Sequence, residues 1–365
     1  MPGVYISYPF CAQKCTYCNF ASDVFSRELE PEYVDALAGE IASHPWSWRP
    51  ETVYLGGGTP SRMNACDLER ILGKIPGWPW REATLEVAPG TVTAERAAAW
   101  TGAGINRISL GVQSFVQREL ARTGRKHTAA IVAADVELLR AAGLANINID
   151  LIAGLPGQTV TFWRESLEWI ERLQPPHVSV YMLEIDEGSR LGQEVLLNGK
   201  RYGAPDVPAE DLTAELYETA VGELNRRGIQ RYEISNFAHP GFESLHNLKY
   251  WRLEPYVGFG AGAHSFDGAL RSENVEPLAE YMQRIRQGQT PRLSATPANA
   301  AEERFFVGLR LTQGIRPQPE EWRKFDAPIQ RFLHQGLLAR DGGQLRLTDR
   351  GVLLSNEVFA DFIAS

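Results

Sequence analysis

Cysteine is scarce: the 365 residues hold four. That is too few to staple a chain of this length with disulfides. No apolar run approaches the ~18 residues that a bilayer-crossing helix needs. The N-terminus lacks the charged-then-apolar pattern of a secretory leader. Both absences point to a reducing cytoplasm. Positive charge is also short, with 37 Lys and Arg against 45 Asp and Glu, a net charge of −8. A general nucleic-acid or anionic-membrane surface is therefore disfavoured. Internal repeats and low-complexity tracts are absent. What is present is an ordinary globular composition, 44% hydrophobic and 22% charged, so disorder is not the bulk state. The length suits one large domain and a small one. Three of the few cysteines fall within eight residues, which points to a metal.

Short β-branched runs alternate with helical stretches over the first two-thirds of the chain. Strands are expected at Val4–Tyr8, Thr52–Gly56, Thr84–Val87, Arg107–Val112, Asn146–Ile152 and His177–Leu183. Helices are expected at Glu32–Ala42, Asp67–Lys74, Thr93–Thr101, Thr128–Ala142 and Thr159–Leu173, several behind a Thr N-cap and two before Gly102 and Gly143. Strand then helix, repeated, means a parallel sheet. Six strands fit an α/β partial (βα)6 TIM-like barrel over residues 1–187 better than a closed eight-stranded one; a flat doubly wound sheet also fits. An α+β extension is expected over 188–290, with 188–208 a connection, 209–227 an amphipathic helix and 228–268 irregular. Residues 291–365 follow a linker. Helical runs at 301–311 and 327–337 and a hairpin closed at Asp341–Gly343 suggest a small winged-helix-like domain. Nine basic and nine acidic residues over 301–365 give it no nucleic-acid footprint. It reads as a structural or partner-docking cap.

Parity within the strands predicts an unusual interior. Ile108, Leu110 and Val112 share one face; Arg107, Ser109, Gly111 and Gln113 share the other. Asn146, Asn148 and Asp150 alternate with Ile147 and Ile149, Thr84 and Glu86 with Leu85 and Val87, and Ser179 and Tyr181 with Val178 and Val180. The apolar face must meet the helices, so the polar face lines the interior. Barrel interiors are ordinarily packed with aliphatic side chains. Unpaired polar groups there would cost ~1–3 kcal/mol each. Either a large polar ligand fills the interior, or its polar groups pair with water or each other.

Cys11, Cys15 and Cys18 form C-x3-C-x2-C directly after the first strand. Thiolates bind iron–sulfur clusters and soft metals. Three ligands leave one iron of a [4Fe–4S] cluster open to a small chelating molecule. A zinc site would want a fourth ligand, for which Cys66 is available, although it reads as an ordinary helix residue. Leu55-Gly-Gly-Gly-Thr-Pro-Ser61 after the second strand is a glycine turn, a common place for backbone to approach a ligand.

The run from Tyr5 through Cys11-Ala-Gln-Lys-Cys15-Thr-Tyr17-Cys18-Asn-Phe20 resembles the signature of the radical SAM superfamily. The resemblance implies a [4Fe–4S] cluster on the three cysteines, S-adenosylmethionine on the open iron, and an electron donor that triggers radical formation. Gly57, Gly58 and Thr59 match the superfamily loop for the methionyl amine. Tyr5, Tyr17, Glu86, Gln113, Arg125 and Asp150 match further S-adenosylmethionine contacts. Ala88 stands before Pro89 where relatives usually carry Asn. Nearly the whole chain resembles the coproporphyrinogen-oxidase-like branch, and its heme-chaperone members in particular. Phe20 stands where the oxygen-independent coproporphyrinogen III dehydrogenase has a fourth cysteine, and ten residues precede Cys11 where that enzyme carries a long extension. His246-Asn247-Leu-Lys-Tyr250-Trp251 resembles the chaperones' H-N-x-x-Y-W heme motif. Residues 232–266 hold eight aromatics, a surface suited to a porphyrin, and imidazole is a common axial ligand. Those aromatics could instead cover an open end of the barrel. His239 and His264 are lesser candidates. The resemblance implies a cytoplasmic chaperone that passes heme to apo-hemoproteins, including those of the respiratory chain, with transient membrane proximity and a homodimer among its consequences. The alternatives are radical decarboxylation of coproporphyrinogen or another radical SAM activity.

Overall fold

The computed structural model describes residues 2–19 and 22–363; Phe20 lies outside the described residues. Six parallel strands stand side by side in chain order: β1 (Gly3–Tyr8), β2 (Thr52–Gly57), β3 (Glu82–Val87), β4 (Arg107–Gln113), β5 (Asn146–Ala153) and β6 (His177–Met182). The crossovers carry α1 (Glu30–Ser43), α2 (Ala65–Leu72), α3 (Ala94–Gly102), α4 (Gln117–Arg122) with α5 (Ala129–Ala141), and α6 (Val160–Leu173). Thr93, Thr128 and Thr159 cap their helices as expected, accepting from the amides of Arg96, Ile131 and Phe162. The stop of α3 differs. Gly102 is helical, and the reversal falls at Gly104, where φ is +94°.

The aliphatic strand face packs on the helices. Val4, Ile6, Val53, Leu55, Leu85, Ile108, Leu110, Ile147, Ile149, Val178 and Val180 are fully buried there, with Leu37 and Ile41 of α1, Leu139 of α5 and Ile170 of α6 in the same core.

The sheet is open, and it does not end at six strands. Beyond β6 lie two antiparallel strands, β7 (Gln230–Arg231) at the edge and β8 (Asn236–Ala238) against β6. On the other side β9 (Tyr256–Phe259) runs parallel to β1, followed by antiparallel β10 (His264–Phe266), β11 (Leu270–Glu273) and β12 (Thr296–Pro297). The region expected to be irregular therefore completes the sheet. Strands of two to four residues are too short to show alternation in the sequence. The 188–208 connection also holds a helix, α7 (Arg190–Leu196); α8 (Glu210–Arg226), α9 (Leu245–Trp251) and α10 (Leu278–Arg286) follow. The C-terminal part carries α11 (Ala300–Phe306), α12 (Pro319–Lys324), α13 (Asp326–His334), the hairpin β13 (Leu338–Asp341) and β14 (Gln344–Leu347), then α14 (Asp349–Leu353) and α15 (Ser355–Ile363). Its core is aromatic, with Phe305 stacked on Phe362 at 4.6 Å and tilted against Phe325 at 4.5 Å.

Candidate functional site: a polar cavity at the strand ends

Within the sheet the polar parity holds, and part of that interior satisfies itself. Asn148 Nδ2 donates to Ser109 Oγ at 2.8 Å, to Ser179 Oγ at 3.0 Å and to Asp150 Oδ1 at 2.7 Å. His177 Nδ1 meets Asn148 Oδ1 at 2.6 Å, and its Nε2 meets the Tyr232 hydroxyl at 2.9 Å. Toward the C-terminal strand ends a cavity of about 820 Å³ opens. That lies within the range of ligand sites, ~300–1,000 Å³.

Cys11, Cys15, Tyr17 and Cys18 line this cavity together with Gly57, Gly58, Thr59, Glu86, Gln113, Arg125 and Asp150. Their strands explain the convergence. Glu86, Ser109, Gly111, Asp150 and Tyr181 share the inward face, and Gln113 reaches it across a bulge after Gly111, with φ at +72°. Tyr5 does not line the cavity; its ring stacks on Tyr54 at 6.1 Å.

The cysteine loop is strapped in place. Cys11 N donates to Asp23 O at 2.9 Å and Thr16 N to Thr123 O at 3.3 Å, while Leu191 N of α7 donates to Thr16 O at 2.8 Å. None of the four cysteines is in a disulfide. Arg125 Nη1 donates to Cys15 Sγ at 3.3 Å and to the Tyr17 hydroxyl at 3.4 Å. Burial pushes the Cys11 thiol up, while hydrogen bonds from Ser22 and Thr59 oppose it. Three soft donors on one cavity-facing loop fit an iron–sulfur cluster. Among the described residues, no three His, Cys, Asp or Glu side chains are already gathered around an ion position. Cys66 is exposed on α2 and lines neither the large cavity nor the smaller one described below.

The glycine turn is anchored through its own backbone. Its amides are engaged: Gly57 N donates to Glu86 Oε2 at 3.1 Å, Gly58 N to Tyr8 O at 2.7 Å and Thr59 N to Phe10 O at 2.9 Å. The turn grips the strand end that leads into the cysteine loop. A Cβ on Gly58 would stand 2.6 Å from Phe10 O, so no larger residue fits. Glu86 also accepts from the Tyr54 hydroxyl at 3.0 Å. Burial first, then the charge of Asp150, pushes its carboxyl up to about 7. Arg125 Nε is buried without a hydrogen-bond partner.

The aromatic motif lies elsewhere. Thr52 starts β2 and Gly57 ends it, so the two ends of the strand stand roughly 16 Å apart. His246, on α9, sits at the Thr52 end: its Nδ1 meets Thr52 Oγ1 at 2.9 Å and its Nε2 meets the Tyr250 hydroxyl at 2.8 Å. The ring stacks on Tyr54 at 5.2 Å and is 1% exposed. Burial, then Lys249 and Arg107, hold its pKa down at about 3. Glu82 caps the helix, accepting from Leu245 N at 2.9 Å and His246 N at 2.8 Å, and Asn247 N donates to Ser244 Oγ at 3.3 Å. In this structure both ring nitrogens of His246, the expected heme contact, are engaged, and the ring sits at the sheet's N-terminal end. Tyr250 and Trp251 line a smaller cavity of about 270 Å³ with Tyr256, Phe266, Arg271 and Phe306. His239 and His264 line neither cavity.

Residues 5–170 match the radical SAM superfamily, and residues 295–354 match the HemN C-terminal domain. Heme chaperone HemW of Lactococcus lactis is 35% identical over 374 residues, 99% of this chain and 97% of its own. This chain belongs to the HemW family. HemW of Bacillus subtilis is 34% identical across 100% of this chain and 99% of its own, and HemW of Escherichia coli 35% across 99% and 98%. Among solved structures, the coproporphyrinogen III oxidase HemN of Escherichia coli, a radical SAM enzyme, superposes with a TM-score of 0.85 at 21% identity, covering 100% of this chain and 90% of its own. That likeness establishes the radical SAM fold with its C-terminal unit.

In this HemW-family chain, sequence reading missed several cavity residues. Tyr54 shares the inward face of β2 with Thr52 and Gly56, a parity that was available from the sequence. His127 lines the cavity 7% exposed with Nε2 unpartnered, and burial with Arg125 beside it holds its pKa at about 4. Arg310, Leu353, Ser355 and Asn356 reach the same cavity from the C-terminal part. No local pattern marks them, because only tertiary packing brings them there. No described helix is long and apolar enough to cross a membrane.

Proposed function

We propose that this chain is a heme chaperone: it binds heme and releases it to apo-hemoproteins, respiratory-chain proteins among them, while holding a [4Fe–4S] cluster and S-adenosylmethionine. The observation that carries the reading is the end-to-end likeness to proteins named as heme chaperones, at 34–36% identity over 86–100% of this chain. The cavity supports it, since its lining extends past the cofactor residues to Ile234, Arg310 and Asn356. Cys11, Cys15 and Cys18 would hold the cluster. Glu86 suits an ammonium, and Arg125, with its unpartnered Nε, suits a carboxylate. Together they fit an amino-acid end such as that of S-adenosylmethionine. Gln113, Ser109 and Asp150 supply further polar contacts, and Thr59 and Tyr17 bound the same space. That cofactor, when bound with the cluster and an electron donor, supplies radical chemistry; the protein supplies position and exclusion of water.

The runner-up is radical decarboxylation of coproporphyrinogen, which shares the fold. Anaerobic purification, cluster reconstitution and titration with heme separates the two. The chaperone reading expects a Soret shift saturating at one equivalent and no protoporphyrinogen from coproporphyrinogen with reductant and S-adenosylmethionine. Decarboxylated product would establish the enzyme instead.

A further inference from the structure

Beyond Glu184, Arg310 is the one charged residue lining the large cavity, among the described residues. Three observations set it apart. Its guanidinium lies over the Trp251 ring, 4.4 Å from the centroid. Its Nη2 reaches Glu233 Oε2 at 3.5 Å, a long contact, while Glu233 is otherwise held by Ser235 N at 3.0 Å and by Asn236. Its Nε is buried with no hydrogen-bond partner. Burial pushes the Glu233 carboxyl up, and its ion pair with Arg310 opposes that shift. Ser355 and Asn356, the first residues of α15, line the same wall. A helix N-terminus adds a partial positive charge. An arginine fork beside that terminus suits a carboxylate.

The geometry points to Arg310 as the cavity's carboxylate anchor, positioned by Trp251, for a planar ligand bearing propionate-like groups. The inference rests on the heme reading above and locates the porphyrin's acidic edge. It also gives the aromatic motif a role that His246, sealed at the far end of the sheet, does not fill. Trp251 ends α9 with its ring under Arg310, so the motif acts on the ligand through a cation–π contact rather than through an iron bond.

The test titrates the full-length protein with heme and with heme dimethyl ester, in which both carboxylates are blocked. Wild type should bind the ester about 10-fold or more weaker than heme, the scale of a charge-assisted hydrogen bond. Arg310→Gln should weaken heme by a similar factor and leave ester binding unchanged. Arg310→Lys should keep part of the discrimination, and Trp251→Leu should lose part of it. Circular dichroism confirms that each variant is folded. Equal discrimination in wild type and Arg310→Gln would overturn the anchor, as would equal weakening of both ligands. Wild type that binds neither porphyrin would overturn the heme reading, and the anchor with it.

Discussion

Glu86 shows how a single residue links burial to ligand choice. Its carboxyl titrates near 7 because it is buried beside Asp150. In the ligand-free protein its raised value removes stability as pH climbs from about 4.5 to about 7. An ammonium reverses the sign, since only the ionised carboxylate attracts it. Affinity for S-adenosylmethionine should therefore fall as pH drops below about 7, approaching tenfold per unit. Isothermal titration from pH 5.5 to 8.5 checks this, and Glu86→Gln should bind more weakly with a flat profile. A wild-type profile without slope would give Glu86 a structural role only. The cysteines make a second expectation at this scale. Replacing Cys11, Cys15 and Cys18 with Ala should abolish iron–sulfur absorbance and S-adenosylmethionine binding while the far-ultraviolet spectrum persists, because the aliphatic core uses none of these side chains. Cys66→Ala should change nothing. About four irons per chain in the triple variant would refute the ligand assignment.

The element that matters most is α9. It is seven residues long, too short to hold itself in water, so its neighbours fix it. Glu82 caps its start, Lys249 pairs with Glu51 at 2.7 Å and Glu254 at 3.1 Å, and His246 bridges Thr52 and Tyr250. His246→Ala removes two buried hydrogen bonds and a stacked ring, and leaves a hydroxyl on each side without its partner. The expected cost is about 2–4 kcal/mol in urea unfolding, with the heme spectrum of the remaining folded protein unchanged. A lost heme spectrum at unchanged stability would restore the imidazole as an iron ligand. Other local signals were legible in the sequence. The Thr caps and the 3–4 periodicity fix single helices through contacts within one turn, so α1, α3, α5 and α6 were readable. β7 to β12 were not, since two to four residues carry no period.

Across the whole molecule, the cavity draws its walls from both ends of the chain, from Cys11 to Asn356. A ligand held between two parts of one protein can leave when those parts shift, which suits transfer better than permanent storage. Loaded protein mixed with excess apomyoglobin should give up its heme, seen as the Soret band moving to that of holo-myoglobin. Retention of the heme over hours would count against a chaperone.

The candidate site was legible locally: three thiols, an inward polar face and a glycine turn, each set by residues close in the chain and by the two-residue strand period. The sequence by itself determined the parallel core as well, because alternating strand and helix patterns are local. The tertiary structure decided what those patterns meant. It paired part of the polar interior with itself, used the Gly58 amide to hold the end of β1, set His246 between Thr52 and Tyr250, and delivered Arg310 to the cavity from 224 residues beyond Glu86 in the chain. Such contacts depend on which surfaces meet after folding, and no neighbouring residue encodes them.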